Sequence, residues 1–301
     1  MFRIYRKIAC FFFLILEALS PAPSRAEEMP LGYALLPGGT YFYQGETAKG
    51  ALFAVPETGL IALGVAESPN LASQGGVPEI NVPLLLGAQL YVVDKWSYYQ
   101  RRMILFNDEN PSAVPPVDRT SLGDLLLAPF RPSVVSSPVV IISGLLGVAD
   151  GLYGYPKRSG TFSNISSVTA MNQHMSRDSG TAYYEGASFA VSYGAGVSEE
   201  MVFRGMLLPI LDYKYDQRTG LWVSSLSFGL LHSLNPGAGG IYVPAQATAL
   251  GLLFGWQVQE DGYRISKAIA AHFWFDFISS TTTWLANPTQ NPLGVQVALG
   301  F

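Results

Sequence analysis

Cysteine is nearly absent from this chain. One residue, Cys10, is present among 301, so no intrachain disulfide can form. Charge is scarce as well. Asp, Glu, Lys and Arg make up 13% of the residues and sum to −4, against about 25% charged in soluble domains. No basic surface is available, which argues against nucleic-acid binding. GxSxG and HExxH are both missing, and Cys10 lies in a stretch that processing would remove. Acyl-enzyme and zincin mechanisms therefore lack their parts.

Apolar residues are abundant: 49% of the chain is hydrophobic, with positive mean hydropathy. This predicts an all-α, polytopic membrane helical bundle of about seven spanning or re-entrant segments after an N-terminal signal peptide. Residues 1–26 have a basic start (Arg3, Arg6, Lys7), an apolar run Ile8–Leu16 and a small-x-small site ending at Ala26. That is a secretory signal pattern with cleavage after Ala26. Expected partners are membrane lipid and a membrane-associated protein or peptide, and the expected location is a bacterial inner (plasma) membrane.

The first half, 27–155, reads as a membrane region without chemistry. Tyr41, Phe42 and Tyr43 mark an interfacial turn before a helix near Gly50–Ala66. Val82–Val93 continues into Asp94-Lys95-Trp96, then Arg101 and Arg102, an aromatic and basic membrane exit. Ser121 can cap a short surface helix with Asp124 as its third following residue. Val134–Leu152 is a third apolar segment, and Asp150 near its end reads as solvated, like Asp212, Asp216 and Glu260. Residues 156–180 are rich in Ser, Thr and Asn and read as a polar connector holding a solvated His174.

From 181 to 285 the character changes. Four apolar segments follow, each with an unusual polar residue, before a tail at 286–301. Ser198–Pro209, SEEMVFRGMLLP, places two carboxylates and an arginine in an apolar helix. Charged groups at hydrocarbon depth cost ~2.5–3.5 kcal/mol each on insertion scales and mark function by default. Glu200 and Arg204 stand at i and i+4 and can pair, while Glu199 points about 100° away. His232 ends one later apolar segment. His272 sits in the last, with Asp276 at i+4 to fix its tautomer. Converging these groups around one wet cavity hides them from lipid. A carboxylate and a neutral histidine can activate water, and a second histidine can stabilise an oxyanion. Glu199, His232 and His272 equally make a catalytic set for a divalent metal such as zinc. The two alternatives stay open.

The order EExxxR, FxxxH, HxxxN/D resembles the CAAX protease and bacteriocin-processing family of intramembrane proteases, which includes type II CAAX prenyl endopeptidases. The motifs are Glu199–Arg204, Phe228–His232 and His272–Asp276, spanning about a third of the chain. The resemblance implies a metallo- or glutamate-type endopeptidase in which Glu199 and His232 activate water. It also implies that His272, oriented by Asp276, stabilises the oxyanion, with Glu200 and Arg204 bracing the first helix. Family members usually carry Asn at the last position, with Asp a common alternative. A non-catalytic scaffold or immunity protein retaining the fold is the alternative function, and a transporter relaying protons through Glu199 ranks behind both.

Overall fold

The computed structural model describes residues 30–68, 71, 73–74, 77–109, 115–154, 160–233 and 240–300. The signal peptide expected at 1–26 and its cleavage site lie outside them. Helices dominate, as the all-α expectation requires. The long ones are α1 (Thr47–Glu67), α2 (Val82–Glu109), α3 (Pro138–Tyr153) and α4 (Arg177–Val202). After a π turn at Phe203–Leu207 come α5 (Leu208–Lys214), α6 (Gln217–His232), α7 (Tyr242–Glu260) and α8 (Ser266–Ala286). Among the described residues, Thr47–Glu67 alone is long and apolar enough to cross a membrane by length and composition; Pro138–Tyr153 is a shorter apolar helix.

Local chemistry sets the helix ends. Ser176 accepts from Ser179 N to cap α4, and Asp216 accepts from Thr219 N to cap α6. Ser121 accepts from Asp124 N and starts the short helix Leu122–Leu126, as its spacing predicts. Gly262 and Tyr263 both take the left-handed region, φ 64° each, to fold α8 back from α7 in a short turn.

Small residues control how closely helices approach. A Cβ on Gly147 would stand 2.6 Å from Phe275 O, and one on Gly151 would stand 2.6 Å from Thr282 Cβ. These two glycines let α3 lie directly on α8. In membrane bundles such packing replaces the hydrophobic drive, because lipid is as apolar as leucine. One apolar core runs through Tyr41, Trp96, Val140, Met201, Phe254 and Phe275, joining both halves of the chain. Asp118 adds a polar tie: its carboxylate accepts from the buried Ile265 N–H at the start of α8, 2.8 Å away.

Three local expectations change. The stretch at 156–180 carries a hairpin, β1 (Ile165–Ala170) and β2 (Gln173–Ser176), turned through Met171 and Asn172 with φ 47° and 59°. Residues 296–299 form β3, which pairs antiparallel with β1, giving the order β2-β1-β3. The expected membrane exit at Asp94–Arg102 lies inside α2, which runs on to Glu109. Asp94 is wholly buried there and pairs with Lys95 at 2.6 Å. Asp150 and Asp212 are hydrogen-bonded rather than solvated: Asp150 accepts from three side chains, and Asp212 accepts from Gln259 and Tyr263, both at 2.8 Å.

Candidate active site

The site forms where α4, α6 and α8 meet. Gly196 permits it, since a Cβ there would stand 2.9 Å from Phe273 N and 3.0 Å from Ile269 O. One turn further along α4, Glu199 and Glu200 therefore reach His272 on α8. Glu200 and Arg204 are fully buried and paired at 2.9 Å, the i, i+4 pair expected from spacing. The guanidinium carbon lies 4.4 Å from the Phe228 ring centroid, a cation–π contact with the helix that carries His232. Arg204 Nε and Nη2 and Glu200 Oε2 are buried without a hydrogen-bond partner. A deep polar floor thus lies under the site.

Glu199 points the other way and is about a third exposed. Its Oε2 lies 3.7 Å from His232 Nε2 and 3.9 Å from His272 Nε2. His232 Nδ1 lies 2.8 Å from the Phe228 carbonyl oxygen, four residues back. A carbonyl only accepts, so Nδ1 carries a hydrogen and Nε2 is the nitrogen that faces Glu199.

His272 has a carboxylate at each nitrogen. Nδ1 lies 2.8 Å from Glu200 Oε1, and Nε2 lies 3.3 Å from Asp276 Oδ2. Spacing had suggested Asp276 as the residue that orients His272. The shorter contact comes from Glu200, so this carboxylate holds Arg204 and His272 together. Nothing in the sequence pointed to that contact, because it joins helices 72 positions apart.

Asp150 is the other residue the sequence did not assign. Its Oδ1 accepts from Tyr242 Oη at 3.0 Å and Gln246 Nε2 at 2.6 Å, and its Oδ2 accepts from Ser279 Oγ at 2.5 Å. Ser279 is one turn beyond Asp276 on α8.

The zinc alternative draws on the same side chains: Glu199, His232 and His272 are the residues that would hold the ion, with Glu199 Oε2 3.7 Å and 3.9 Å from the two Nε2 atoms. Ligands each about 2.0–2.1 Å from one zinc stand a little over 3 Å from one another. His272 turns its other nitrogen, Nδ1, to Glu200. As placed, no group of three or more His, Cys, Asp or Glu side chains among the described residues forms a metal site.

Comparison with known families covers the same segment. Residues 186–278 match the family model Rce1-like, type II CAAX prenyl endopeptidase. The resemblance carried by the three motifs is therefore shown over those residues. The Rce1-like segment runs from the middle of α4 to the middle of α8 and contains Glu199, Glu200, Arg204, His232, His272 and Asp276. Asp150 and all of the first half fall outside it. An Rce1-like family implies a peptidase, integral in the membrane, with a membrane-associated peptide or protein as substrate. No curated protein and no solved structure matches the chain.

Proposed function

We propose that residues 181–285 form an intramembrane endopeptidase that hydrolyses a peptide bond of a membrane-associated polypeptide. The observation that carries this reading is a single oxygen, Glu199 Oε2, set 3.7 Å from His232 Nε2 and 3.9 Å from His272 Nε2 on two other helices.

Water hydrogen-bonded to both Glu199 and His232, at about 2.8 Å from each, closes a triangle across that 3.7 Å gap. Glu199 accepts its proton while the His232 Nε2 lone pair holds its second hydrogen and aims the oxygen. Attack on the carbonyl carbon moves the electron pair to the carbonyl oxygen, where a His272 N–H donates. Glu200 holds the far side of that ring, and Asp276 shares the near one. Collapse of the tetrahedral intermediate expels the amine, which takes the proton from Glu199. No step leaves the three helices.

The outer surface supports a polytopic membrane bundle with 27–155 as its N-terminal part, and a bacterial inner membrane is the location we propose for it. Leu52 and Val55 on α1, Ile141 and Leu145 on α3, and Trp222 and Leu230 on α6 all face outward, while Glu200 and Arg204 are inside. Apolar outside and charged inside is the arrangement lipid imposes.

The test is cleavage of an internally quenched peptide panel by the full chain in detergent. Glu199→Gln and His232→Ala should each lower kcat/KM about a thousandfold, within the range that general-base groups contribute. Equal cleavage by wild type and both variants overturns the assignment.

A further inference from the structure

Glu57 stands at the middle of α1, the one described helix long and apolar enough to cross a membrane. Its side chain has no exposed surface, and both carboxylate oxygens lack a hydrogen-bond partner among the described residues. A carboxylate at that depth is kept where something neutralises it, and such groups mark ion and proton sites. Asp94, on α2, is equally buried and leaves Oδ1 without a partner. Thr40 lies on the short helix Gly39–Tyr43, which packs on both α1 and α2. It too is wholly buried, and its hydroxyl has no partner.

The loop before Thr40 ties these groups together. Gly38 takes φ 65°. A Cβ there would stand 2.1 Å from Gly50 O and 3.0 Å from Ala54 Cβ, so the loop lies on α1 within one turn of Glu57. The Gly38 N–H faces Glu57 without closing a full hydrogen bond on it. From α2, Lys95 Nζ donates to Leu36 O and to Asp94 Oδ2, 2.6 Å each, which fastens the same loop beside Asp94. Asp94 and Lys95 both lie within electrostatic reach of Glu57.

The charges do not balance. Lys95 neutralises one of the two carboxylates, and Lys49 and Arg101 are both taken by Glu46. Glu57, Asp94 and Lys95 therefore sum to −1, with three carboxylate oxygens and the Thr40 hydroxyl unpaired. One proton would neutralise the set but bridge only two of those oxygens. One monovalent cation neutralises it and takes several oxygens at once, whereas a divalent ion would leave an excess of positive charge. Oxygen donors without nitrogen or sulfur suit a hard cation.

We propose that Glu57, Asp94 and Thr40 form a binding site for one alkali cation between α1, α2 and the helix 39–43. The site is separate from Glu199 and does not rest on the peptidase reading. Lys95, with 12% of its side chain exposed, is the member that reaches the surface.

The test uses the full chain in detergent at fixed ionic strength, with sodium chloride exchanged for choline chloride. Equilibrium dialysis with radioactive sodium should find about one ion per chain, and Glu57→Gln and Asp94→Asn should each lose it. At about ten times its Kd, one bound cation multiplies the folded-to-unfolded ratio about elevenfold. In a chain of this size that raises the melting temperature by about 3 °C. Glu57→Gln should melt alike in both salts and, in choline, no lower than wild type, because it removes the charge that choline leaves unbalanced. Should the variants fail to fold, sodium binding and the sodium shift of the wild type decide alone.

Equal melting of wild type in the two salts with no bound sodium overturns the inference. A wild-type melting temperature that follows pH and ignores sodium overturns it in favour of a proton. Sodium retained by both variants overturns the placement. Peptide cleavage enters none of these readouts, so the peptidase reading stands or falls separately.

Discussion

Glu200 can be separated from Arg204 by a double-mutant cycle, with the outcome set by the burial of both. Neither side chain has any exposed surface, their ion pair is 2.9 Å long, and Glu200 also meets His272 at 2.8 Å. Glu200→Gln strands a buried guanidinium whose Nε and Nη2 already lack partners. Removing one partner of a buried pair costs about 3–5 kcal/mol. In a chain of this size that lowers the melting temperature on the order of 10 °C. Arg204→Met should cost less, because Glu200 keeps His272. The double variant removes both charges, so most of the Glu200→Gln loss should return, and the two effects should fall short of additivity by about 2 kcal/mol or more. The remaining deficit is the charge assistance lost from the hydrogen bond to His272, about 1 kcal/mol. Activity should follow a different rule: both proteins lacking Glu200 stay slow, since a neutral amide accepts from His272 Nδ1 without the charge that polarises the ring. Thermal unfolding in detergent, followed by tryptophan fluorescence beside peptide cleavage, measures both. Additive destabilisation, or a Glu200→Gln protein that melts with the wild type, would refute the reasoning.

Asp276→Asn should retain activity to within about tenfold, because its amide oxygen still accepts from His272 Nε2 and Glu200 still holds Nδ1; a loss of a thousandfold in kcat would show that the charge at Asp276 is indispensable. Gly151→Val places methyl groups where a Cβ alone would be 2.6 Å from Thr282 Cβ and 2.7 Å from Ser279 O. It should destabilise by about 1–3 kcal/mol through overpacking, and an unchanged melting temperature would show that α3 can slide on α8. Asp216 caps α6 through the Thr219 N–H, and that bond, with the Thr219 hydroxyl, holds its carboxyl below its usual value of 3.8. A depressed folded value means that the stabilisation is complete above the unfolded value and is lost as pH falls through the folded one. Asp216→Asn keeps a capping oxygen but does not titrate. Its acid unfolding curve should therefore be flatter than wild type below pH 3.8, and superimposable curves would remove Asp216 as the cause.

Much of the site was legible because apolar segments make ionisable residues conspicuous. Glu199, Arg204, His232 and His272 stand out against apolar neighbours, and the i, i+4 spacing identified both Glu200–Arg204 and His272–Asp276. The Ser121 cap was equally readable, since capping is decided within three residues. What escaped was whatever depends on contacts distant in sequence. Glu200 meets His272 across two helices. Asp150 looked like a helix end facing water until α7 and α8 supplied its donors. The β1–β2 hairpin has no apolar alternation over a Ser- and Thr-rich stretch, and the strand that completes its sheet arrives more than a hundred residues later. Asp94 reads as a membrane exit because an aromatic and basic cluster follows it, yet α2 continues and buries it.

The π turn at Phe203–Leu207 behaves as a one-residue phase shift in an otherwise continuous rod from Arg177 to Lys214. Each residue of an α-helix advances the face by about 100°, and a π turn absorbs one residue more than an α turn. Removing Gly205, which lies against the Trp96 indole, would restore ordinary winding and rotate everything beyond it by that angle. Asp212 would swing away from Gln259 and Tyr263, while Glu199 and Glu200 stayed in place. The extra residue thus lets one helix satisfy two masters, a catalytic register at its middle and an anchoring register at its end. A homologue with a regular helix here would have to relocate one of them.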